Sequence, residues 1–325
     1  MRAVLLVDDS VFESSDPNFA KHQWPKYAAA EFCVSHALRS LGHEVVGVPA
    51  TVDITDTLKN ITAAKPDFVF NLVEEIGGNR QHDGLIVQIL GLMKIPFTGA
   101  SFDALMIARN KQLSKLVVAN AGVLVPKGVV ILKDLKFLAS DLTFPVIVKP
   151  AYTDGSEGIT SRSYVKTAAQ LQRRLSEFRR WLPVICEEYI PGREIIVTAS
   201  GTKTVTIDSI CEMVFPEKAP VRFATDQAKF DAKYRERFGI VYQTPTRLHA
   251  PVKRIVVDAA RKAYRALRID SYAKLEFRVR DRKVVFIEAN PNSQMNRFAK
   301  STDFSAIGYE NFVRKIVRMA LSRVH

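Results

Sequence analysis

Two glutamates and an asparagine near the carboxyl terminus are spaced as a metal site on a β-hairpin. In the apolar stretch Val-Val-Phe-Ile-Glu-Ala-Asn, Glu288 and Asn290 point to one face of a strand, because side chains alternate. An apolar stretch just before it carries Glu276. If the turn is centred on Arg282, Glu276 lies opposite Glu288 and Lys274 opposite Asn290. The other face then collects only apolar side chains: Ala273, Leu275, Phe277, Val279, Val285, Ile287 and Ala289.

This register has an electrostatic consequence. Like charges directly opposite each other destabilise a sheet, so a cation is needed between Glu276 and Glu288. Carboxylate and amide oxygens are hard ligands of the kind that magnesium prefers. We therefore predict that Glu276, Glu288 and Asn290 bind Mg²⁺ or Mn²⁺.

Composition describes an ordinary globular protein. The chain has 325 residues, 47% of them apolar and 25% charged, which is enough for two or three domains. Its apolar runs are too short to span a membrane. The opening apolar segment is followed at once by Asp8 and Asp9, which indicates a first strand and not a signal peptide. Cys33, Cys186 and Cys211 have no paired spacing. We expect reduced, buried thiols in a cytoplasmic protein without a membrane partner.

The net charge of +13 has two interpretations. It could neutralise nucleic-acid phosphates, or it could come from solvated faces whose field attracts small anions such as a nucleotide. Basic clusters such as Arg278, Arg280, Arg282 and Lys283 are not interleaved with aromatic residues, as a single-strand groove requires. This favours solvated surfaces and no nucleic-acid partner.

The first hundred residues alternate between strand and helix patterns. Strands are predicted at residues 3–7, 44–48 and 67–73, and helices at 25–41, 52–64 and 83–93. This alternation is typical of a parallel α/β domain, whose ligands gather at the carboxyl ends of the strands. We predict three domains, at residues 1–98, 99–183 and 184–325. The weakly periodic segment 215–249 is long enough to serve as a lid.

A strand ending in Lys149 precedes a glycine-rich turn with Gly155, Ser156 and Gly158. Backbone N–H groups in such a turn can hold phosphate oxygens, and a plain turn between strands is an equally good interpretation. Farther on, Glu187 and Glu188 precede a Pro-Gly turn, which on spacing alone indicates a hairpin with two surface glutamates.

The order of these segments resembles the ATP-grasp superfamily, and within it the D-alanine–D-alanine ligase group. The similarity runs from Asn71 to the last helix. It implies α/β and α+β architecture, with an ATP-grasp fold behind an amino-terminal Rossmann-like (pre-ATP-grasp) parallel α/β domain. It also implies the nucleotide-binding residues Lys111, Lys149, Gly155, Ser156, Gly158, Glu187, Glu188, Tyr189, Ile190, Glu194 and Lys233.

The same resemblance implies roles in catalysis. Lys233, in a Phe-Asp-Ala-Lys-Tyr sequence, is similar to the lid lysine that reaches the terminal phosphate. Lys274 stands where the family usually has an arginine, two residues before the first metal carboxylate. Arg297 could pair with a substrate carboxylate, and an ordinary surface arginine is an equal alternative. Glu276, Glu288 and Asn290 fall on the family's magnesium ligands.

The implied activity is an ATP- and Mg²⁺-dependent carboxylate–amine ligase. A carboxylate takes the γ-phosphoryl group to form an acyl-phosphate, an amine attacks it, and phosphate leaves. The partners are small amino-acid or other carboxylate and amine substrates, and the resemblance suggests a homodimer.

The substrate pocket departs from the family pattern. Only Glu13 is available in place of a Glu-Arg-Glu-type signature, Glu276 replaces the usual aspartate, and no glycine follows Asn290 in the next turn. Glu74, Glu75, His82 and Asp83 occupy the positions of acceptor-side contacts. ATP and magnesium are thus better supported than D-alanine. The alternatives are a ligase for other amino acids in tailoring or natural-product assembly, and an ATP-binding module without turnover.

Overall fold

The computed structural model describes residues 1–20, 30–132, 142–246, 248–293, 295 and 308–323. A three-stranded parallel sheet in the order β2-β1-β3 forms the amino-terminal region. Its elements are β1 (Arg2–Asp8), α1 (Ala30–Ser40), β2 (Glu44–Ala50), α2 (Ile54–Ala64), β3 (Phe68–Asn71) and α3 (Asp83–Leu92). The apolar residues of β1 are buried on both faces, as a parallel strand covered by helices requires. The predicted α/β alternation is confirmed here.

An antiparallel four-stranded sheet in the order β4-β7-β5-β6 forms the central region. The elements are α4 (Phe102–Arg109), α5 (Lys111–Asn120), β4 (Gly128–Ile131), β5 (Val146–Pro150), β6 (Tyr164–Val165), α6 (Ala168–Glu177) and β7 (Val184–Glu188). Because β7 pairs with both β4 and β5, the predicted boundary at residue 183 falls one strand before the chain leaves this sheet.

The third sheet is antiparallel and five-stranded, in the order β10-β9-β8-β11-β12. It comprises β8 (Arg193–Ser200), β9 (Thr206–Val214), β10 (Val241–Gln243), β11 (Tyr272–Arg280) and β12 (Lys283–Pro291). The segment predicted as a lid forms α7 (Asp226–Phe230), α8 (Ala232–Phe238) and β10. Two longer helices follow, α9 (Ala250–Ala266) and α10 (Tyr309–Ser322). Helix α9 packs its apolar face on β8, β11 and β12.

The predicted register of the last hairpin is confirmed at its functional end. Glu276 pairs with Glu288 and Lys274 with Asn290. A β-bulge after Glu276 then shifts the pairing by one residue. The turn consequently shortens to two residues, with Asp281 at φ 54° as tight hairpin turns require.

The bulge corrects part of the predicted apolar face. Because a shift of one residue exchanges the two faces of a strand, Val284 and Phe286 join the core beneath the hairpin. Val285 is buried outside that core, and Ile287 does not belong to it. Ile287 is the extra residue of the bulge, and it turns to line the cleft beside Glu288. The other five predicted residues are in the core.

Helix α10 returns the end of the chain to the amino-terminal sheet. Its buried residues share one core with β1, β3 and α1. Phe312 packs edge-to-face on Tyr272 at the start of β11, with 6.2 Å between ring centroids. The metal-site hairpin and the parallel sheet are thereby held together, which brings the carboxyl ends of the parallel strands near the carboxylate pair.

The three cysteines are free and buried, as predicted. Among the helices that the structure describes, none combines the length and the apolar character that a membrane crossing requires.

Replacing Phe286 tests how firmly the core supports the hairpin. Phe286 is fully buried and packs edge-to-face on Phe277 at 5.8 Å. We expect Phe286→Ala to lower the free energy of unfolding by about 3–5 kcal/mol, because it removes a large apolar side chain and leaves a cavity. Urea denaturation measures this.

The matched control is Leu92→Ala, since Leu92 is 82% exposed. Its effect should stay within about 0.5 kcal/mol. Equal effects of the two substitutions would contradict the described packing under the hairpin.

Candidate active site

A lysine ammonium lies between the two predicted metal carboxylates. Lys229 Nζ is 2.6 Å from Glu276 Oε1 and 3.7 Å from Glu288 Oε1. The Nδ2 atom of Asn290 lies 3.5 Å from an oxygen of each glutamate. All three predicted metal ligands therefore lie close together, and the Lys229 ammonium contacts the two carboxylates.

Burial gives the two carboxyl groups opposite titration behaviour. Both are buried, with exposed fractions of 7% for Glu276 and 6% for Glu288. Burial raises the pKa of Glu276, and the negative charge of Glu288 raises it further. The Lys229 ammonium lowers this pKa, but only partly offsets the two other effects. Burial alone would raise the pKa of Glu288 too, but the ammonium groups of Lys111 and Lys229 outweigh it and hold the pKa below its usual value. The pair thus keeps a negative charge that demands a cation.

The chemistry of this donor set fits magnesium. Mg²⁺ is commonly held by one or two carboxylates together with water and substrate phosphates, rather than by a cage of protein ligands. Among the described residues, no group of three or more His, Cys, Asp or Glu side chains is arranged to hold a metal ion. Glu276, Glu288 and Asn290 provide two carboxylates and one amide, and the Lys229 ammonium marks where a cation is accepted.

Glu187 is not a surface glutamate as spacing alone indicated; it anchors two buried lysines. Its carboxylate lies 2.6 Å from Lys115 Nζ and 2.9 Å from Lys149 Nζ, and all three side chains are at least 95% buried. Burial opposes the charge on Glu187, but the two lysines hold its pKa below the usual value. Burial lowers the pKa of Lys115 to about 8. The triad positions the strand-end ammonium of Lys149 in the cleft.

The glycine-rich turn wraps over the start of α5. The N–H of Lys111 donates to the carbonyl of Ala151 at 3.1 Å, and its ammonium donates to the carbonyl of Thr153. Gly155, Ser156 and Gly158 all have positive φ, of 60°, 64° and 74°. A turn of this kind can present backbone N–H groups to an anion.

One cleft collects most of the predicted nucleotide-binding residues and has about 590 Å³ of open volume. The predicted residues that line it are Lys149, Ser156, Glu187, Glu188, Tyr189, Ile190, Glu194, Glu276 and Glu288. Lys111 lines a small adjoining cavity with Glu288 and Asn290. The carbonyl of Gly158 accepts a hydrogen bond from Arg174 at 3.2 Å. This bond stabilises the turn, and Gly158 itself does not line the cleft.

A buried arginine organises the mouth of this cleft. Arg278 Nη1 donates to Glu194 Oε2 at 2.9 Å, and its Nε donates to the carbonyl of Ile190 at 3.0 Å. Its guanidinium also lies beside the ring of Tyr189. The prediction that Arg278 belongs to a solvated face is wrong, because the side chain is only 5% exposed. Strand alternation places it on the Glu276 face, where Glu194 compensates its charge.

The lid segment closes on the glycine-rich turn. The N–H of Asp226, at the start of α7, donates to the carbonyl of Ile159 at 3.1 Å. A Cβ atom on Gly155 would lie 3.3 Å from the ring of Phe230. Lys233, the predicted lid lysine, lies on α8 with its side chain exposed, whereas Lys229 on α7 reaches the carboxylates.

A second cleft, with about 940 Å³ of open volume, adjoins the first across Glu276. Its charged lining residues are Glu74, Arg80, Asp83, Arg109, Asp154, Lys229, Lys274 and Glu276. Arg80 Nη1 lies 3.1 Å from both Glu74 and Asp154, and Arg109 pairs with Asp83. Burial raises the pKa of Glu74 and of Asp83 to about 7 each.

The remaining predicted residues lie outside this cleft. Glu13 and His82 are exposed, and His82 contacts Asn79 and the carbonyl of Ile76. Glu75 is half-buried, and its N–H donates to Asp8. Arg297 lies outside the described residues, so its predicted role stays a prediction.

Sequence reasoning missed Arg80, Arg109 and Asp154 of the second cleft, and it missed three residues around the carboxylates, two of which had a signal. Lys115 follows Lys111 by four residues and therefore shares its helix face. Arg278 follows Glu276 by two residues and therefore shares its strand face. Lys229 had no such signal, because its segment lacks periodicity and its partners are 47 and 59 residues away.

The buried triad predicts a large stability effect at Glu187. We expect Glu187→Gln to lower the free energy of unfolding by about 3–5 kcal/mol, because it leaves two buried ammonium groups without their counter-charge. Thermal and urea unfolding without nucleotide measure this.

The neighbouring Glu188→Gln is the matched control. Glu188 is half-buried and accepts one backbone hydrogen bond, from Lys127 at 3.3 Å, so its loss should cost about 1 kcal/mol or less. Similar losses in the two variants would show that the triad does not carry the charge balance described above.

Comparison with known proteins agrees with this geometry. The family model described as "D-ala D-ala ligase C-terminus" matches residues 119–318, which include the glycine-rich turn, Lys149 and Glu187 of the buried triad, and the carboxylate hairpin.

Curated relatives extend the similarity over most of the chain. A D-alanine–D-alanine ligase of Gluconobacter oxydans is 27% identical over 88% of this chain and 91% of its own length. One from Cereibacter sphaeroides is 30% identical, over 84% of this chain and 82% of its own. A solved structure of a Bacillus anthracis D-alanine–D-alanine ligase complexed with ATP superposes with a TM-score of 0.74 at 22% identity, covering 100% of this chain and 98% of that one. The fold is thus that of the D-alanine–D-alanine ligases, and the chain belongs to the D-ala D-ala ligase family.

Proposed function

We propose that this protein is an ATP-dependent ligase that joins a carboxylate to an amine. One observation carries the proposal: the carboxylate pair lies where the first cleft meets the second, with Glu276 lining both. Relatives named D-alanine–D-alanine ligase, similar over most of their length, support the same reaction class. A phosphoryl donor in one cleft and its acceptor in the other would meet at this pair.

The first cleft is proposed to bind ATP. Lys149 lines this cleft and Lys111 lines the small cavity beside it, and both buried cations would neutralise phosphate groups. Tyr189 and Ile190 form an apolar mouth, and Glu194, fixed by Arg278, can accept hydrogen bonds from a ribose. The turn at Gly155 and Ser156 would donate backbone N–H groups to the phosphates of the bound nucleotide.

Glu276, Glu288 and Asn290 are proposed to hold Mg²⁺. When bound, the ion neutralises the charge that develops on a phosphoryl group during transfer. The protein's own contribution is to fix two carboxylates and an amide on a rigid, well-packed hairpin. The neighbouring ammonium of Lys274 lies two residues before Glu276 and lines the second cleft.

The second cleft is proposed to take the carboxylate and the amine. Arg109 is buried there, and its Nε and Nη1 atoms have no hydrogen-bond partner among the described residues. Such donors suit an anionic substrate group. Phe230 packs on Gly155 above this cleft, so the lid would shield an acyl-phosphate intermediate from water.

One observation sets the second cleft apart from the family pattern. Glu13, the only available counterpart of the family's amino-group ligand, is exposed and does not line the second cleft. The lining instead carries three acidic side chains of its own, Glu74, Asp83 and Asp154. We therefore keep a ligase for other amino acids, acting in tailoring or natural-product assembly, as the second candidate.

A substrate screen tests the proposal. The full chain is incubated with ATP, Mg²⁺ and separate pools of D- and L-amino acids, and phosphate release and product mass are measured. We expect phosphate release that depends on one pool and on Mg²⁺, with an amide product. D-alanyl-D-alanine as the product would exclude the second candidate. Release from no pool would contradict ligase activity.

Glu288→Gln tests the metal site directly. We expect the ligase rate to fall by about two orders of magnitude or more, because even outer partners of metal ligands cost 10- to 100-fold. Glu44→Gln is the control, since Glu44 lies on the surface of the amino-terminal sheet, and its rate should not change. A Glu288→Gln variant that stays folded and keeps the full ligase rate would contradict the proposed metal site.

A further inference from the structure

Lys229 occupies a position in the site that the proposed reaction does not use. Its ammonium is within 2.6 Å of Glu276 and 3.7 Å of Glu288, and its side chain is only 11% exposed. Two opposed carboxylates at this depth require a cation, and Lys229 provides one from the protein itself.

The lid is built to hold this lysine in place. Lys229 is the penultimate residue of α7, and Thr225 caps the start of that helix by accepting a hydrogen bond from the N–H of Ala228. At the other end, Arg235 Nη1 donates to the carbonyls of Lys229 at 2.7 Å and Ala228 at 3.2 Å. The position of the ammonium is thus linked to the seating of α7 on the glycine-rich turn.

We propose that Lys229 is a built-in counter-ion of the carboxylate pair, which Mg²⁺ must displace, so that metal entry without nucleotide is disfavoured and is accompanied by release of α7. The proposal rests on the proposed role of Glu276, Glu288 and Asn290 as the metal site. It adds a competitor that belongs to the protein and a lid movement coupled to the exchange.

The exchange follows from charge and space. An ammonium 2.6 Å from Glu276 fills the volume that an ion bound to the same oxygen would need, so the two cations exclude each other. Displacement leaves the Lys229 ammonium without its carboxylates, in a region that already holds Lys111 and Lys149. A nucleotide brings phosphate charge that can pair with the displaced ammonium, whereas a metal ion alone does not. Metal affinity should therefore be low until the nucleotide arrives.

Lys229→Met tests the competition. Binding of Mn²⁺ to the full-length protein is measured without nucleotide, by the electron paramagnetic resonance signal of the free ion. We expect Lys229→Met to bind Mn²⁺ about tenfold more tightly than the wild type, because the metal no longer breaks a buried charge-assisted contact.

Lys233→Met is the matched control. It removes the same charge four residues away on the same lid, from an exposed side chain, and should bind Mn²⁺ as the wild type does. A Lys229→Met variant that binds Mn²⁺ no more tightly than the wild type overturns the proposal, and so does an equal gain in the Lys233→Met variant.

A second measurement needs no variant and covers the case in which Lys229→Met fails to fold. Amide hydrogen exchange of the wild type is followed with increasing Mn²⁺, without nucleotide. We expect the amides of α7 to lose protection as metal binds, while those of α9 stay unchanged. Unchanged or increased protection of α7 in the metal-bound protein overturns the proposal.

The two proposals fail differently. If Mn²⁺ binds only with nucleotide, in wild type and Lys229→Met alike, the counter-ion role fails and the metal site remains. If Mn²⁺ does not bind even with ATP, the proposed metal site fails and the counter-ion role fails with it.

Discussion

The rest of the structure depends on two buried carboxylates, Glu276 and Glu288, that lie opposite each other on paired strands. Such a pair is unstable without positive charge, and the structure surrounds it with lysines from three separate elements. Lys111 comes from α5, Lys149 from β5 and Lys229 from α7. Electrostatic attraction at this site consequently holds together the central sheet, the carboxyl-terminal sheet and the lid.

A second set of buried ion pairs fixes Lys149 and the arginine next to the carboxylate pair. Glu187 balances Lys115 and Lys149, while Glu194 balances Arg278 on the strand that carries Glu276. Isolated buried charges cost several kcal/mol, so each of these groups requires its partner. The energetic cost is offset elsewhere, by the apolar face of the hairpin and by the packing of α10 against the parallel sheet. Stability thus comes from the cores, and the charges define the geometry of the site.

The sequence allowed the hairpin to be predicted because strand periodicity is local and strict. The pairing of Glu276 with Glu288 follows from alternation and one turn position, and the structure has that register. The bulge that moves Ile287 into the cleft could not be predicted, because a single inserted residue leaves the apolar composition of both strands intact. The burial of Arg278 was accessible from alternation, but its charge suggested a solvated face.

The lid shows where sequence reasoning ends. Its low periodicity indicated a covering segment. The position of α7 on a turn 67 residues earlier in the chain determines which lysine reaches the carboxylates. Resemblance favoured Lys233, and the structure places Lys229 at the pair while Lys233 is exposed. Long-range seating of this kind is set by tertiary contacts, such as Phe230 on Gly155, that leave no pattern in the sequence.

The most direct test of the central claim is anomalous diffraction from crystals grown with Mn²⁺ and a non-hydrolysable ATP analogue. We expect one anomalous peak within coordinating distance of Glu276, Glu288 and Asn290, next to the analogue's terminal phosphates. An ordered analogue in the cleft, with the manganese peak elsewhere and the two carboxylates free of any metal, would contradict it.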